Sequence, residues 1–350
     1  MSEKMKRVCL IGTSPSSKGG VAKSMLYLAL VYKMLGYNVV WVETRRASFS
    51  TLRTCDIIHV NGLSLRLKAF WLILLRKPKK ILTLHGFILD EVRTPLYFSH
   101  GVLGAFKALI EYINISIHWI AHKLILIQLI YDYVTAVSHV KARKNHVRAI
   151  VIPNPTICRS SGLSKNPSLL HPDEVLFITY VSPGARITNL PKLVKVVYLV
   201  NKNLERLGVK KRVVLHIYGD VPPTLLKTLS RYPFVKFMGY VSDFIKRLST
   251  ADIFLDGFPS AELGHTALES ICVGVPVAKF TEDPGLEEVV DGFSGILAIS
   301  DEEMVEKLTR YVLNMDEMKR VLVSNGRNTI LRKRDLKRIA VMWRTIIEKC

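Results

Sequence analysis

The chain has little cysteine, and what it has is dispersed. Its five cysteines (Cys9, Cys55, Cys158, Cys272 and Cys350) form no CxxC pair and have no histidine at a spacing that closes a tetrahedral metal site. That pattern excludes a sequence-local metal site and fits a reducing cytoplasm. Long apolar runs are also missing. The longest, INISIHWIAHKLILIQLIYDYV from Ile113, is interrupted by His118, His122, Lys123, Gln128 and Asp132, so it fails as a spanning helix of about 20 apolar residues and leaves only contact with a membrane surface open. The opening MSEKMKRVCLIG lacks the apolar core and small-residue cleavage site of a signal peptide. No DxD motif occurs in the sequence, and no low-complexity tract or repeat interrupts it.

Acidic residues are scarce: 29 Asp and Glu stand against 50 Lys and Arg, a formal net charge of +21. The imbalance is uneven, with 22 Lys/Arg against 7 Asp/Glu in residues 1–155 and 28 against 22 in the rest. A basic first half suits an anionic partner, whether a lipid surface, a nucleic acid or a phosphorylated substrate. It equally suits a solvated surface that aids solubility. No nucleic acid is expected, because no recognition motif is present and the basic residues are not interleaved with stacking aromatics.

What is present is a folded chain of 350 residues, 49% hydrophobic, long enough for two domains. Short β-branched runs alternate with longer amphipathic ones: RVCLIG, GVAKSMLYLALVYKMLG, NVVWVE, DIIHVNG, LRLKAFWLILLRK, KILTLHG. This alternation predicts a parallel sheet built from crossovers. In the first helix Leu26, Leu30 and Val31 recur at helical spacing, and Gly36 suits a left-handed cap. A second αβ series starts at EVLFITYVS and ends with two helices, EEMVEKLTRYVLNM and LKRIAVMWRTIIEKC. We place the first domain at residues 1–155, a Ser/Pro/Gly-rich linker at 156–172, the second domain at 173–334, and a final helix at 335–350 that packs back on the first domain.

Several residues carry candidate chemistry. GTSPSSKGGVAKS is neither a phosphate loop nor GxGxxG, since Ser17 and Ala22 stand where GxxxxGK[ST] requires glycine. Gly19 and Gly20 before a helix would let a ligand approach the backbone amides, or make a plain tight turn. His85 ends the strand KILTLHG, so its imidazole should project from the carboxyl edge of the sheet, where ligands bind in open αβ folds. His59 occupies a similar strand end with nothing converging on it, a lining residue at most. Thr266 and Glu269 match the S/T-x-x-E capping box. The same helix, starting after Gly264, could instead turn its amides toward a diphosphate while a carboxylate on its first turn accepts from sugar hydroxyls. Gly274 and Pro276 should end it.

In order, GGVAKSMLYLAL, LTLHG, TAVS and VIPNP, then KFMGYVSD, RLSTADIFLDGFPS, ELGHTALESICVGVPVA and PGLEEVVDGFSGIL, resemble a retaining glycosyltransferase of family 4. The resemblance runs from Arg7 to Trp343. It implies the α/β GT-B fold, two Rossmann-like doubly wound parallel-sheet domains facing across a cleft. It also implies transfer of a sugar from a nucleotide-sugar to a glycan or lipid-linked acceptor, with no metal and no cofactor, the nucleotide-sugar being a substrate. Glu269 would hold the ribose, Glu262 would contact the donor sugar, and His265 and Thr266 would face the diphosphate. Gly20 would approach from the first domain, with Gly19 beside it, and His85 would lie near the reacting sugar. Gly239 belongs to a donor segment. Such enzymes commonly work on membrane-bound acceptors from the cytoplasmic face, and LRLKAFWLILLRKPKK would lie at that surface or be an ordinary crossover helix. Two departures stand out. Six residues separate Glu262 from Glu269 where the family has seven, and Ser182-Pro183 and Thr188-Asn189 replace its Arg/Lys pair, with Arg186 the nearest substitute and Lys192 the next. They motivate the alternative of a non-catalytic partner or regulatory protein that keeps the fold.

Overall fold

The computed structural model of the chain describes residues 5–14, 20–62, 70–85, 106, 109–110, 113, 116, 127–145, 147–158, 171–181, 185–257, 263–281 and 289–348. The chain forms two compact units, Met1–Thr156 with Lys333–Cys350, and Ile157–Arg332. The first holds six described strands, β1 (Arg7–Gly12), β2 (Asn38–Glu43), β3 (Ile57–Asn61), β4 (Lys79–Leu84), β5 (Tyr133–Ala136) and β6 (Ile150–Val151), ordered β2-β1-β3-β4-β5-β6. The second holds six more, β7 (Glu174–Val181), β8 (Arg212–Gly219), β9 (Val235–Gly239), β10 (Ile253–Asp256), β11 (Val277–Phe280) and β12 (Ile296–Ala298), ordered β12-β11-β10-β7-β8-β9. Every pairing is parallel, as strands joined by helical crossovers require.

Seven helices matter below: α1 (Gly20–Met34), α2 (His139–Lys144), α3 (Ala185–Arg206), α4 (His265–Cys272), α5 (Asp301–Leu313), α6 (Met315–Arg334) and α7 (Leu336–Glu348). Parallel sheets are covered on both faces, so their strands are apolar throughout. In the first unit Cys9, Ile11, Ile58, Val60 and Leu82 face Leu72, Leu75 and Ile130. Their neighbours Val8, Leu10, Ile57 and Ile81 face the opposite way, toward α1 and α7, because successive side chains alternate across a strand. Helix α7 supplies Ile339, Ala340, Trp343, Ile346 and Ile347, a stripe at three-and-four spacing.

Helix α1 is described from Gly20, which the sequence placed just before it, and Gly36 follows it with φ of 83°, a conformation that favours glycine. The buried stripe differs from the one read from the sequence. Met25, Leu28, Ala29 and Tyr32 lead it, together with Val31, while Leu26 is 51% exposed. The run around Leu26 is apolar on nearly every side, so periodicity alone did not identify the face that meets α7.

In the second unit α3 lays Leu190, Leu193, Val194, Val197 and Val200 on Phe177, Leu215 and Ile217, with Leu308 and Tyr311 of α5 in the same cluster. Each such side chain contributes roughly 1.5–3 kcal/mol by leaving water.

Four of the cysteines, scattered in sequence, are paired in space. Cys9 is disulfide-bonded to Cys55, and Cys158 to Cys272. Strand β1 lies beside β3, which carries Cys9 toward the turn before β3. Linear spacing is blind to such pairing, because it arises between strands and segments far apart in the chain.

The chain leaves the first unit after Thr156 and re-enters at Lys333. The two crossings are fastened together there: Thr156 N–H donates to the Arg334 carbonyl at 2.9 Å, and the Arg334 guanidinium, 2% exposed, donates to the Asn154 carbonyl at 3.0 Å. Among the described residues no helix is long and apolar enough to cross a membrane. Of LRLKAFWLILLRKPKK, Phe70–Leu74 is helical, with Leu72 buried and Leu74 70% exposed. Residues 63–69 lie outside the described set.

Candidate functional site

In the second unit the relevant edge is formed by the carboxyl ends of β10 and β11 and the start of α4. Thr179 Oγ1 donates to the Leu255 carbonyl at 2.7 Å, and Asn189 of α3 donates to the Gly257 carbonyl at 2.9 Å, which fixes how β10 ends. Asp256 and Lys279 stand opposite each other in register and are 1% and 0% exposed. This buried acid and base at neighbouring strand ends was missed in the sequence, where DIFLD and PVAKF read simply as strands.

Gly264 is the cap of α4, in an extended conformation with φ −67° and ψ 160°, and its carbonyl accepts from Leu268 N–H at 3.0 Å. The capping box read from Thr266 and Glu269 is therefore corrected. Thr266 lies inside the helix rather than before it, and the cap makes no side-chain hydrogen bond. The opening of α4 is therefore not closed by a capping side chain from Gly264. His265, Thr266 and Glu269 all lie on this helix, with Glu269 partly buried. Gly274, φ 84°, follows the cap residue Val273, and Ser270 Oγ donates to the Val275 carbonyl at 2.9 Å, so the expected stop is present. Gly239 closes β9 with φ 65°.

Glu262 and Gly19 lie outside the described residues. Arg186 sits in the first turn of α3, and its side chain lies outside the description. Lys192 does belong to α3, but its ammonium pairs with Asp301 at 3.2 Å and rests 3.6 Å from the Phe280 ring centroid. Burial pushes the Asp301 carboxyl up, yet hydrogen bonds from Lys195 and Lys192 hold it below its ordinary value.

In the first unit His85 directly follows β4 and is half-buried at the carboxyl edge. Its Nε2 is hydrogen-bonded to Asn61 Oδ1, and Asn154 Nδ2 reaches its Nδ1 at 3.5 Å. Burial first, then the nearby Lys141 ammonium of α2, lowers its pKa from 6.5 to about 4, so the ring is neutral near pH 7. Lys141 is itself 2% exposed.

His59 is not a lining residue. It is 0% exposed, with Nδ1 2.8 Å from Tyr32 Oη and Nε2 2.6 Å from Thr83 Oγ1. Thr83 continues to Thr135 at 2.7 Å, and the Trp343 ring lies 4.9 Å from the imidazole. Burial and then His85 lower its pKa to about 3. A closed polar layer therefore crosses β3, β4 and β5 beneath α1 and α7. Asn61 and Asn154 were also missed, because Asn-Gly and Asn-Pro at strand ends read as turn chemistry. Among the described residues no group of three or more His, Cys, Asp or Glu is placed to hold a metal ion.

Residues 174–314 match the family Glycosyl transferases group 1. No curated protein matches the chain. Among solved structures, HepE from Anabaena in complex with UDP and glucose superposes with a TM-score of 0.67 at 14% identity, covering 99% of this chain and 100% of that one. Sucrose-phosphate synthase from Thermosynechococcus elongatus gives 0.71 at 14% identity, covering 98% of each chain. A glycosyltransferase from Rickettsia africae gives 0.67 at 15%, covering 99% of each. With two parallel six-stranded sheets and helices, the chain has the α/β two-domain fold called GT-B.

Proposed function

We propose that the protein is a retaining glycosyltransferase of family 4 that moves a sugar from a nucleotide-sugar to a glycan or lipid-linked acceptor without a metal. The observation that carries this reading is the group 1 match over residues 174–314, a span that contains β9, β10, α4 and Glu269. The likeness to HepE, crystallised with UDP and glucose, supports UDP-sugars as the first donors to try.

In this reading Glu269 accepts hydrogen bonds from the ribose and Glu262 contacts the donor sugar. The amides opening α4 at Gly264, His265 and Thr266 meet the diphosphate, with Arg186 as the added cation. Negative charge grows on the leaving diphosphate as the glycosidic bond breaks, and preorganised donors lower that barrier. Gly20, Gly19 and Gly239 leave room for the donor, and His85 stands near the reacting sugar. The basic residues 1–155 suit work at the cytoplasmic face of an anionic membrane. Incubation with UDP-, GDP- and ADP-sugars, with nucleotide release followed against Glu269→Ala and Arg186→Ala, tests the reading. Binding of nucleotide with no release and no transfer to any glycan or lipid acceptor rejects it.

A second reading, a non-catalytic partner that keeps the fold, is favoured by one contact. Lys192, the nearest lysine to the missing cationic pair, is engaged by Asp301 and Phe280. The same panel decides, since this reading expects no turnover with any donor.

A further inference from the structure

One buried amide at the carboxyl edge of the first sheet is only half satisfied. Asn61, 3% exposed, closes β3; its Oδ1 bonds His85 Nε2, and its Nδ2 has no hydrogen-bond partner among the described residues. Asn201 in α3 is built differently. Its Nδ2 donates to the Val213 carbonyl at 3.0 Å and its Oδ1 accepts from Val213 N–H at 2.8 Å, fastening the helix to β8 with both arms. A buried amide donor left unpaired is costly, so one calls for a reason. The polar contact Asn61 does make is with a neutral, half-buried imidazole at the edge where αβ folds take their ligands.

We propose that Asn61 is a positioning residue for His85: its Oδ1 accepts the Nε2 hydrogen, fixing the tautomer with Nδ1 as the open acceptor, and its Nδ2–H is left for a sugar hydroxyl. Asn154 touches Nδ1 at 3.5 Å, the outer limit of a hydrogen bond, so it orients the ring without saturating the nitrogen. An acceptor nitrogen beside an amide donor matches sugar hydroxyls, which both donate and accept; a phosphate at neutral pH mainly accepts. The groups facing the ring are Lys141 and His59, and neither favours its protonated form. The tautomer follows from the geometry alone, whereas the hydroxyl rests on the glycosyl-transfer reading.

Nitrogen-15 NMR of the histidine-labelled full chain at pH 7 tests the first half, with His85→Gln assigning the signals. Expected are a protonated Nε2 and a bare Nδ1 in the wild type, and a shift toward averaged tautomers in Asn61→Ala. A protonated Nδ1 in the wild type, or unchanged signals in the variant, overturns the proposal. The wild-type spectrum needs no variant, so it decides even if Asn61→Ala fails to fold. Asn61→Asp should raise the His85 pKa by about one unit or more, since a carboxylate beside an imidazole favours the cation; no rise counts against the contact.

Calorimetry with UDP-glucose and with UDP tests the second half. Asn61→Ala should weaken UDP-glucose roughly five- to tenfold, the worth of one hydrogen bond, and leave UDP within about twofold. Equal losses for both ligands, or no loss for either, overturn the hydroxyl contact. If the wild type binds neither, the glycosyl-transfer reading fails and takes the hydroxyl with it, while the tautomer is judged by its own spectrum.

Discussion

The two sheets share a strand count, an all-parallel pairing and apolar packing, yet the first also threads a hydrogen-bonded layer through one of its covered faces. Beneath α1 and α7 the first sheet carries His59, Thr83 and Thr135, which Tyr32 of α1 joins in a hydrogen-bonded layer. Beneath α3 and α5 the second presents Val175, Phe177, Leu215, Ile217 and Leu255. Apolar packing is non-directional and indifferent to pH, whereas the polar layer holds only while His59 stays neutral. The same architecture can therefore unfold by different routes in its two halves. All four tryptophans, Trp41, Trp71, Trp119 and Trp343, fall in the first unit, so tryptophan fluorescence follows that half by itself.

The largest expected effect tests the apolar half. Phe177→Ala should cost about 3–5 kcal/mol, the usual range for emptying a buried aromatic site. In urea, the far-ultraviolet dichroism transition of the second unit should move while the tryptophan transition stays; movement of both would break the comparison. Next comes Glu269→Ala, expected to lower nucleotide affinity about a hundredfold through loss of charge-assisted hydrogen bonds, as measured by calorimetry, with both unfolding transitions unchanged.

Acid should act on the polar half. Burial holds the folded His59 at about 3 against an ordinary 6.5, so between those values the unfolded chain binds the proton and the folded one does not. That stability is complete above pH 6.5 and falls as the pH drops toward 3. At pH 5 His59 loses about 2 kcal/mol, and His85, held at about 4 in the same unit, loses a similar amount, visible as an earlier urea midpoint by tryptophan fluorescence. A midpoint unchanged from pH 7 to 5 would mean that neither His59 nor His85 is held neutral. The smallest effect is on the rim of the second unit. Asp301→Asn breaks pairs with Lys192 and Lys195, which are 37% and 61% exposed. Solvent screening limits the cost to about 0.5 kcal/mol, and this loss should shrink further in high salt.

Much of this plan was legible in the sequence because it depends on local rules. Apolar runs of strand length between amphipathic stretches announced both parallel sheets, and Gly36 and Gly274 announced their helix ends. What escaped depended on distant partners. His59 and His85 end similar-looking strands, and only the arrival of Trp343 and Tyr32 over one of them makes it core. The cap of α4 went to Gly264 because the backbone turns there, two residues before the S/T-x-x-E pattern that mimics a helix start. Cys9 and Cys55, Asp256 and Lys279, and His85 and Asn61 each meet through adjacent strands, and sheet register is not written in linear spacing.

The clasp between Thr156 and Arg334 makes the second unit an insertion within the first, and this bears on synthesis. A ribosome finishes every residue of the inserted unit before it makes Trp343, so that unit can close while its host is still open. Until α7 emerges, the imidazole of His59 has no indole against it, and the polar layer meets water. A nascent chain halted short of that helix should hold a folded insert in an unfinished host, which limited proteolysis of stalled chains would reveal as a protected fragment near 157–332.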